Sequence, residues 1–308
     1  MPASTLRVHL ALITVSLLFG GSYVFTKRLL DAVPPVSPGA WVLFRMAAAT
    51  TVFLPMALVL RGRRPWPTRR VLGGLLVASF FGVVLNQILF VEGMARTTPE
   101  HSAVVNACIP TWTLLVAVLA RQERLSWTRA LAIVVALAGV SYLLGVDRLL
   151  AGDAIPSAGG HGSTLLGDLL TMGNGIAFAI HLVLMRRLGR DVDPWTATAT
   201  MFVAGTLMIG TWSGGQVRAA DVDAVLTAPA IWCALYVVLF ATVLTYLLNT
   251  WALRHTHSSQ VALYINVQPL VAAALNTALG APLPGHRFFV ALVLVAIGLW
   301  LQSRARRG

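Results

Sequence analysis

Apolar residues run through this chain in blocks about as long as a bilayer is thick. A spanning helix needs about 20 mostly apolar residues. Segments of that kind stand at 9–29, 39–60, 71–93, 102–120, 129–146, 165–186, 194–213, 229–252, 259–279 and 287–303. The breaks between them carry turn and loop chemistry. They read VPPVSP at 33–38, RGRRPWPTRR at 61–70, a Gly-, Ser- and Ala-rich run at 151–164, DVDP at 191–194 and APLPG at 281–285. The pattern predicts an all-α integral membrane protein with ten transmembrane helices. The first block follows Arg7 and His9, as a signal peptide would. It continues through Phe25 without a clear cleavage site, so it is predicted as the first span.

The pattern also recurs. Residues 97–145 lie on residues 256–302 with a constant offset of 159, pairing Thr97 with Thr256, Ala103 with Ala262, Pro110 with Pro269, Leu125 with Pro284 and Gly139 with Gly298. Residues 1–146 form one five-helix repeat and 165–308 a second, joined by 147–164 as a periplasmic or extracellular linker, in one compact transport domain. Five spans per repeat turn the second copy upside down relative to the first. Inverted repeats recur in secondary transporters, where equivalent halves rock about a central site.

Composition moves the solvent from water to lipid. The 308 residues are 57% hydrophobic and 11% charged, against about 25% charged in soluble domains. The net charge of +12 would suggest nucleic acid in a soluble protein. Here the cations cluster at the ends of apolar runs, where they set topology, so no nucleic-acid partner is expected. With an intracellular N-terminus, sixteen of the 23 Lys and Arg residues fall on the inner side and six on the outer, with Arg45 inside a span. Both termini are therefore expected in the cytoplasm of a cell (inner) membrane protein. Cys108 and Cys233 lie in apolar runs and read as small buried hydrophobes.

The run Phe19-Gly20-Gly21-Ser22-Tyr23-Val24-Phe25-Thr26-Lys27 resembles the first-helix signature of the drug/metabolite transporter superfamily, in its EamA-type branch. The run Ser102-Ala103, Pro110, Arg121-Gln122-Glu123-Arg124-Leu125-Ser126 and Gly139 resembles that family's fourth helix, hinge and fifth helix. In the second repeat Gly280-Ala281 stands where the family usually has Gly-Glu, which points to Glu123 as structural. The resemblance implies the ten-helix fold and export of an amino acid or related metabolite, driven by a proton or solute gradient. It also implies that the first and eighth spans join the third, fourth, sixth and ninth as cavity walls.

Polar groups inside spans are costly, so each needs a reason. Asn86 and Phe90 share a face of the third span, continued by Gly93. Ser102, Asn106 and Thr113 share a face of the fourth. Asn174 and His181 share a face of the sixth, and Tyr264 and Gln268 a face of the ninth. Together, Asn86, Phe90, Asn106, Asn174, His181, Tyr264 and Gln268 are the expected substrate-binding set. Singly, each also reads as an interhelical hydrogen bond. Glu92 is the proton-coupling candidate. It lies at the outer boundary, with Arg96 one turn on and Arg45 as another possible partner, so a structural ion pair is its competing role. Asp168, at the start of the sixth span, reads as a capping group. Gly20-Gly21-Ser22 and Gly73-Gly74 read as packing patches. Pro110 and Pro269 read as hinges, because equivalent breaks in two halves point to a transporter's central site.

No HExxH, GxSxG, phosphate-loop or metal-ligand spacing occurs, so no enzyme, metal or cofactor is expected. The partners are a small-molecule solute, the lipid bilayer and a coupling proton, and the assembly is a monomer or homodimer. The predicted function is a secondary active exporter of a small metabolite such as an amino acid. The competing classes are a passive channel or sensor, and an intramembrane enzyme.

Overall fold

The computed structural model describes residues 3–60, 66–147, 164–188, 192–215, 217–255 and 264–304. Every regular element among them is helical. The first half holds α1 (Ala3–Leu30), α2 (Pro38–Leu60), α3 (Arg69–Arg96), α4 (Pro99–Leu119) and α5 (Trp127–Leu143). The second holds α6 (Leu165–Leu188), α7 (Pro194–Ser213), α8 (Ala230–Leu235 continuing to Thr245–His255), α9 (Gln268–Ala278) and α10 (His286–Arg304). A short helix, Ala219–Leu226, precedes α8. Seven of these helices are long and apolar enough to cross a membrane, and α5 is a shorter apolar helix. The connection expected at 147–164 falls on residues 148–163, outside the described residues.

Helix starts follow their caps. The Thr98, Ser126 and Asp193 side chains accept from the amides of His101, Arg129 and Thr196, with proline next in line at Pro99 and Pro194. Helix ends repeat across the halves. Arg121 after α4 (φ 54°) and Gly280 after α9 (φ 99°) stand one repeat apart in left-handed conformation. Each end is closed by a backbone bond from the following residue to a carbonyl five residues back, Gln122 to Ala117 (2.8 Å) and Ala281 to Asn276 (3.1 Å).

The two halves meet most plainly where α5 packs on α10. A Cβ on Gly139 would lie 3.0 Å from the Ala291 carbonyl, and one on Gly298 would lie 2.8 Å from the Ala132 carbonyl. Ala132 and Ala291 are themselves one repeat apart, so the contact is reciprocal. Its register also makes the two helices antiparallel, as inversion requires.

Four helices are irregular, in matched pairs. In α3 the backbone is π-helical over Phe80–Leu85, and in α8 over Tyr236–Leu244. These segments end at equivalent positions, with α-helix resuming at Asn86 and Thr245. In α4 the helix breaks at Cys108, and in α9 at Asn266–Val267. Each break is a tight turn with a three-residue bond, Cys108 to Val105 (3.2 Å) and Val267 to Tyr264 (3.1 Å), two residues before the matched proline. Proline cannot donate to the preceding turn.

Candidate functional site

The interior polar groups gather where α3, α4 and α6 meet α1. Asn86 and Asn174 grip each other's backbones. The Asn86 amide donates to the Asn174 carbonyl (3.3 Å) and the Asn174 amide to the Asn86 carbonyl (3.0 Å). Gln87 donates to the Asn86 side-chain carbonyl (2.9 Å). Phe90 stands edge-on to Tyr23 of α1, ring centres 5.7 Å apart. Asn106 approaches both the Tyr23 hydroxyl and Gly175, the neighbour of Asn174. Asn86, Phe90, Asn106 and Asn174 thus lie together, with Tyr23 among them.

Several buried polar atoms here have no protein partner among the described residues. They include Ser102 Oγ, Asn106 Oδ1, Trp112 Nε1, Asn174 Oδ1 and Thr26 Oγ1. Buried polar atoms are ordinarily satisfied by protein, water or ligand.

The remaining expected residues lie elsewhere. His181 donates its Nδ1 proton to the Ala78 carbonyl (2.9 Å), in space left by Gly82. A carbonyl can only accept, so this histidine is a packed interhelical link between α6 and α3. Tyr264 turns to α1, where its hydroxyl meets His9 Nδ1 (2.5 Å) and its carbonyl accepts from Ser16 (2.7 Å). Gln268 lies against Gly20, whose Cβ would stand 2.9 Å from the Gln268 carbonyl. A turn at 266–267 lies between Tyr264 and Gln268, and both residues meet α1, at Ser16 and Gly20. On α4, Thr113 lies beyond the Cys108 break and its hydroxyl donates to the Ile109 carbonyl (2.8 Å).

Glu92 forms an ion pair with Arg96 one turn on, both partly exposed. Arg45 is not its partner. The Arg45 Nε donates to Thr242 Oγ1 (3.2 Å) and Nη1 to Gln87 Oε1 (3.1 Å). At the start of α6 the Thr164 hydroxyl accepts from the Gly167 amide (3.1 Å), and Asp168 lies in the first turn. The Asp168 carboxylate meets the Thr97 hydroxyl and His101 Nδ1, tying α6 to the start of α4. Glu123 pairs with Arg186 (2.7 Å) and Arg129 (3.5 Å), which fits the structural role expected of it.

Two groups were missed in the sequence. Glu100 sits in the first turn of α4, 6% exposed, with Oε1 accepting from Asn276 (2.9 Å). Arg45 was seen only as a partner for Glu92. The signal for Arg45 was present in its position within an apolar run; the signal for Glu100 was hidden by the loop-like TTPE around it.

The sequence pattern of the EamA-like transporter family matches residues 6–145 and again 165–304. An uncharacterized transporter of Bacillus subtilis (strain 168), YyaM, is 22% identical over 97% of this chain and 94% of its own. An uncharacterized inner membrane transporter of Escherichia coli (strain K12), YedA, is 24% identical over 94% of this chain and 91% of its own. The plant protein WALLS ARE THIN 1 of Arabidopsis thaliana is 25% identical over 49% of this chain and 36% of its own. A solved crystal structure superposes with a TM-score of 0.61 at 17% identity, covering 99% of this chain and 98% of the other, and shares the fold.

Proposed function

Because the chain belongs to the EamA-like transporter family, we propose that it is a secondary active transporter that exports a small metabolite such as an amino acid by alternating access. One observation carries this reading: the backbone irregularities come in repeat-matched pairs, π segments in α3 and α8 and breaks in α4 and α9, around an interior with unpartnered polar atoms. Discontinuous helices at the interface of inverted repeats are where such transporters hold solute. Pro110 and Pro269 serve as the hinges. Asn86, Phe90, Asn106, Asn174 and Gln268 line the path, with His181 and Tyr264 bracing it. Both termini face the cytoplasm of the cell membrane.

The test is counterflow in proteoliposomes, with a panel of amino acids against labelled threonine and phenylalanine, with and without a pH gradient. Saturable exchange is expected, weakened by both Asn106→Ala and Gln268→Ala. Flux that rises linearly with concentration and shows no exchange would assign a channel instead. Turnover of a solute in detergent would assign an enzyme.

A further inference from the structure

Arg45 is a buried cation for which no described carboxylate serves as partner. It lies seven residues into α2, about 10 Å along the helix axis, and is 6% exposed. Its two hydrogen bonds go to neutral oxygens, Thr242 Oγ1 and Gln87 Oε1. The carboxylates in and beside the spans are engaged elsewhere: Asp31 with Lys27, Glu92 with Arg96, Glu100 with Asn276, Glu123 with Arg129 and Arg186, Asp147 with Arg287 and Asp168 with His101. A charge held at membrane depth without a counter-ion is expensive and marks a functional group.

The acceptors of Arg45 are also placed in a telling way. Thr242 lies within the π segment of α8, and Gln87 two residues beyond the π segment of α3. The guanidinium therefore spans the matched irregularities of the two halves. Through Gln87 it connects to Asn86 and so to the Asn86–Asn174 pair. A guanidinium has five N–H donors, of which Thr242 and Gln87 take two. Three remain without a protein acceptor among the described residues. Its planar fork matches the two oxygens of a carboxylate.

The local charge selects among anions. Asn86, Gln87, Asn174 and Thr242 are neutral, and Lys27 is engaged by the Ala95 carbonyl (3.2 Å) and by Asp31. One cation in a neutral surround balances one negative charge. A phosphate dianion would need a second cation that these neighbours do not supply.

We infer that Arg45 binds the carboxylate of the transported solute, and that the solute presents a single carboxylate to it. This rests on the transporter reading above and specifies its substrate class.

The test compares acids with their amides on the full-length protein. Threonine and phenylalanine are set against threoninamide and phenylalaninamide, and 3-phenyllactate is added as an acid without an ammonium group. Two readouts are taken, counterflow in liposomes and the shift of Tm in detergent. Acids are expected to exchange and to raise Tm, and amides to do neither. Arg45→Gln should lose the acid preference at least 10-fold in both readouts. Arg45→Lys, which keeps the charge without the fork and guards against misfolding, should keep only part of it. A merely structural arginine would alter protein yield and leave the acid-to-amide ratio unchanged. Exchange that treats acid and amide alike would overturn the proposal while leaving transport standing. An acid-specific Tm shift lost in Arg45→Gln, with no flux of any solute, would keep the site and overturn transport. Neither flux nor shift with any acid overturns the site.

Discussion

The α5–α10 contact and the interior around α3, α4, α8 and α9 treat the internal repeat differently. At α5–α10 both backbone and side chains are matched: Gly139 meets Ala291 as Gly298 meets Ala132. In the interior the backbone devices are matched but the side chains are not. Asn86 follows one π segment and Thr245 the other, and Gln87 corresponds to Tyr246, Asn106 to Ile265 and Glu92 to Trp251. Arg45 has no charged counterpart near residue 204. On the proposed alternating-access reading, symmetric backbone would let either half move in the same way, and asymmetric chemistry would let one solute be recognised in one orientation.

The largest effect should come from breaking the symmetric contact. Gly139→Val and Gly298→Val each drive a side chain into a facing backbone carbonyl that cannot rotate away. Each should cost roughly 1–3 kcal/mol, and the two should lower the yield of monodisperse protein equally. Unequal losses in a paired thermal-unfolding measurement would mean that the contact is not equivalent in the two halves.

Next come matched interior positions. Asn86→Leu removes an amide that bridges to α6, worth about 1 kcal/mol in a membrane interior. Exchange should fall 10-fold or more, well beyond what that loss of stability explains. Thr245→Val, at the position equivalent to Asn86, should leave exchange within about two-fold, as an interhelical bond of this strength allows. Equal effects at the two positions would erase the proposed asymmetry.

Glu92→Gln addresses coupling. If Glu92 carries the proton, exchange without a gradient persists and the dependence on pH gradient is lost, at unchanged protein level. Retention of the wild-type dependence assigns Glu92 and Arg96 to holding the end of α3.

The smallest effect lies outside the spans, at Asp221. Burial alone would raise its carboxyl, but hydrogen bonds from the Arg218 and Ser37 amides and from the Ser37 hydroxyl, with the charge of Arg218, outweigh it and hold the group below the usual carboxylate range. A lowered folded value means that this stabilisation is present above an unfolded aspartate value of about 3.9 and is lost as pH falls through the folded one. Asp221→Asn should therefore lower Tm at neutral pH, and its gap from wild type should close below about pH 4.

What could be read from sequence divides along the same line as the two regions. Spans, repeat offset and the paired glycines and prolines were legible, because each is a local composition signal or an identity between copies. The π segments were not. Phe80–Leu85 and Tyr236–Leu244 are apolar apart from Tyr236 and Thr242, so one extra residue per turn leaves no break in the pattern. The breaks were legible as prolines, but their consequence for phase was not. A four-residue spacing places two side chains on one face only while the helix is continuous. Turns interrupt two such runs, at Cys108 between Asn106 and Thr113 and at 266–267 between Tyr264 and Gln268. Arg45 and Glu100 needed tertiary information, since their acceptors and donors come from other helices entirely.

The reciprocal glycine contact also has the geometry of an oligomer interface. In a symmetric homodimer, residue i of one copy meets residue j of the other while j meets i. Gly139 with Ala291 and Gly298 with Ala132 satisfy that rule once positions are reduced by the repeat length. The α5–α10 seam therefore has the self-complementary form of a homodimer interface held within one chain, so each half presents to the other the same surface that it receives.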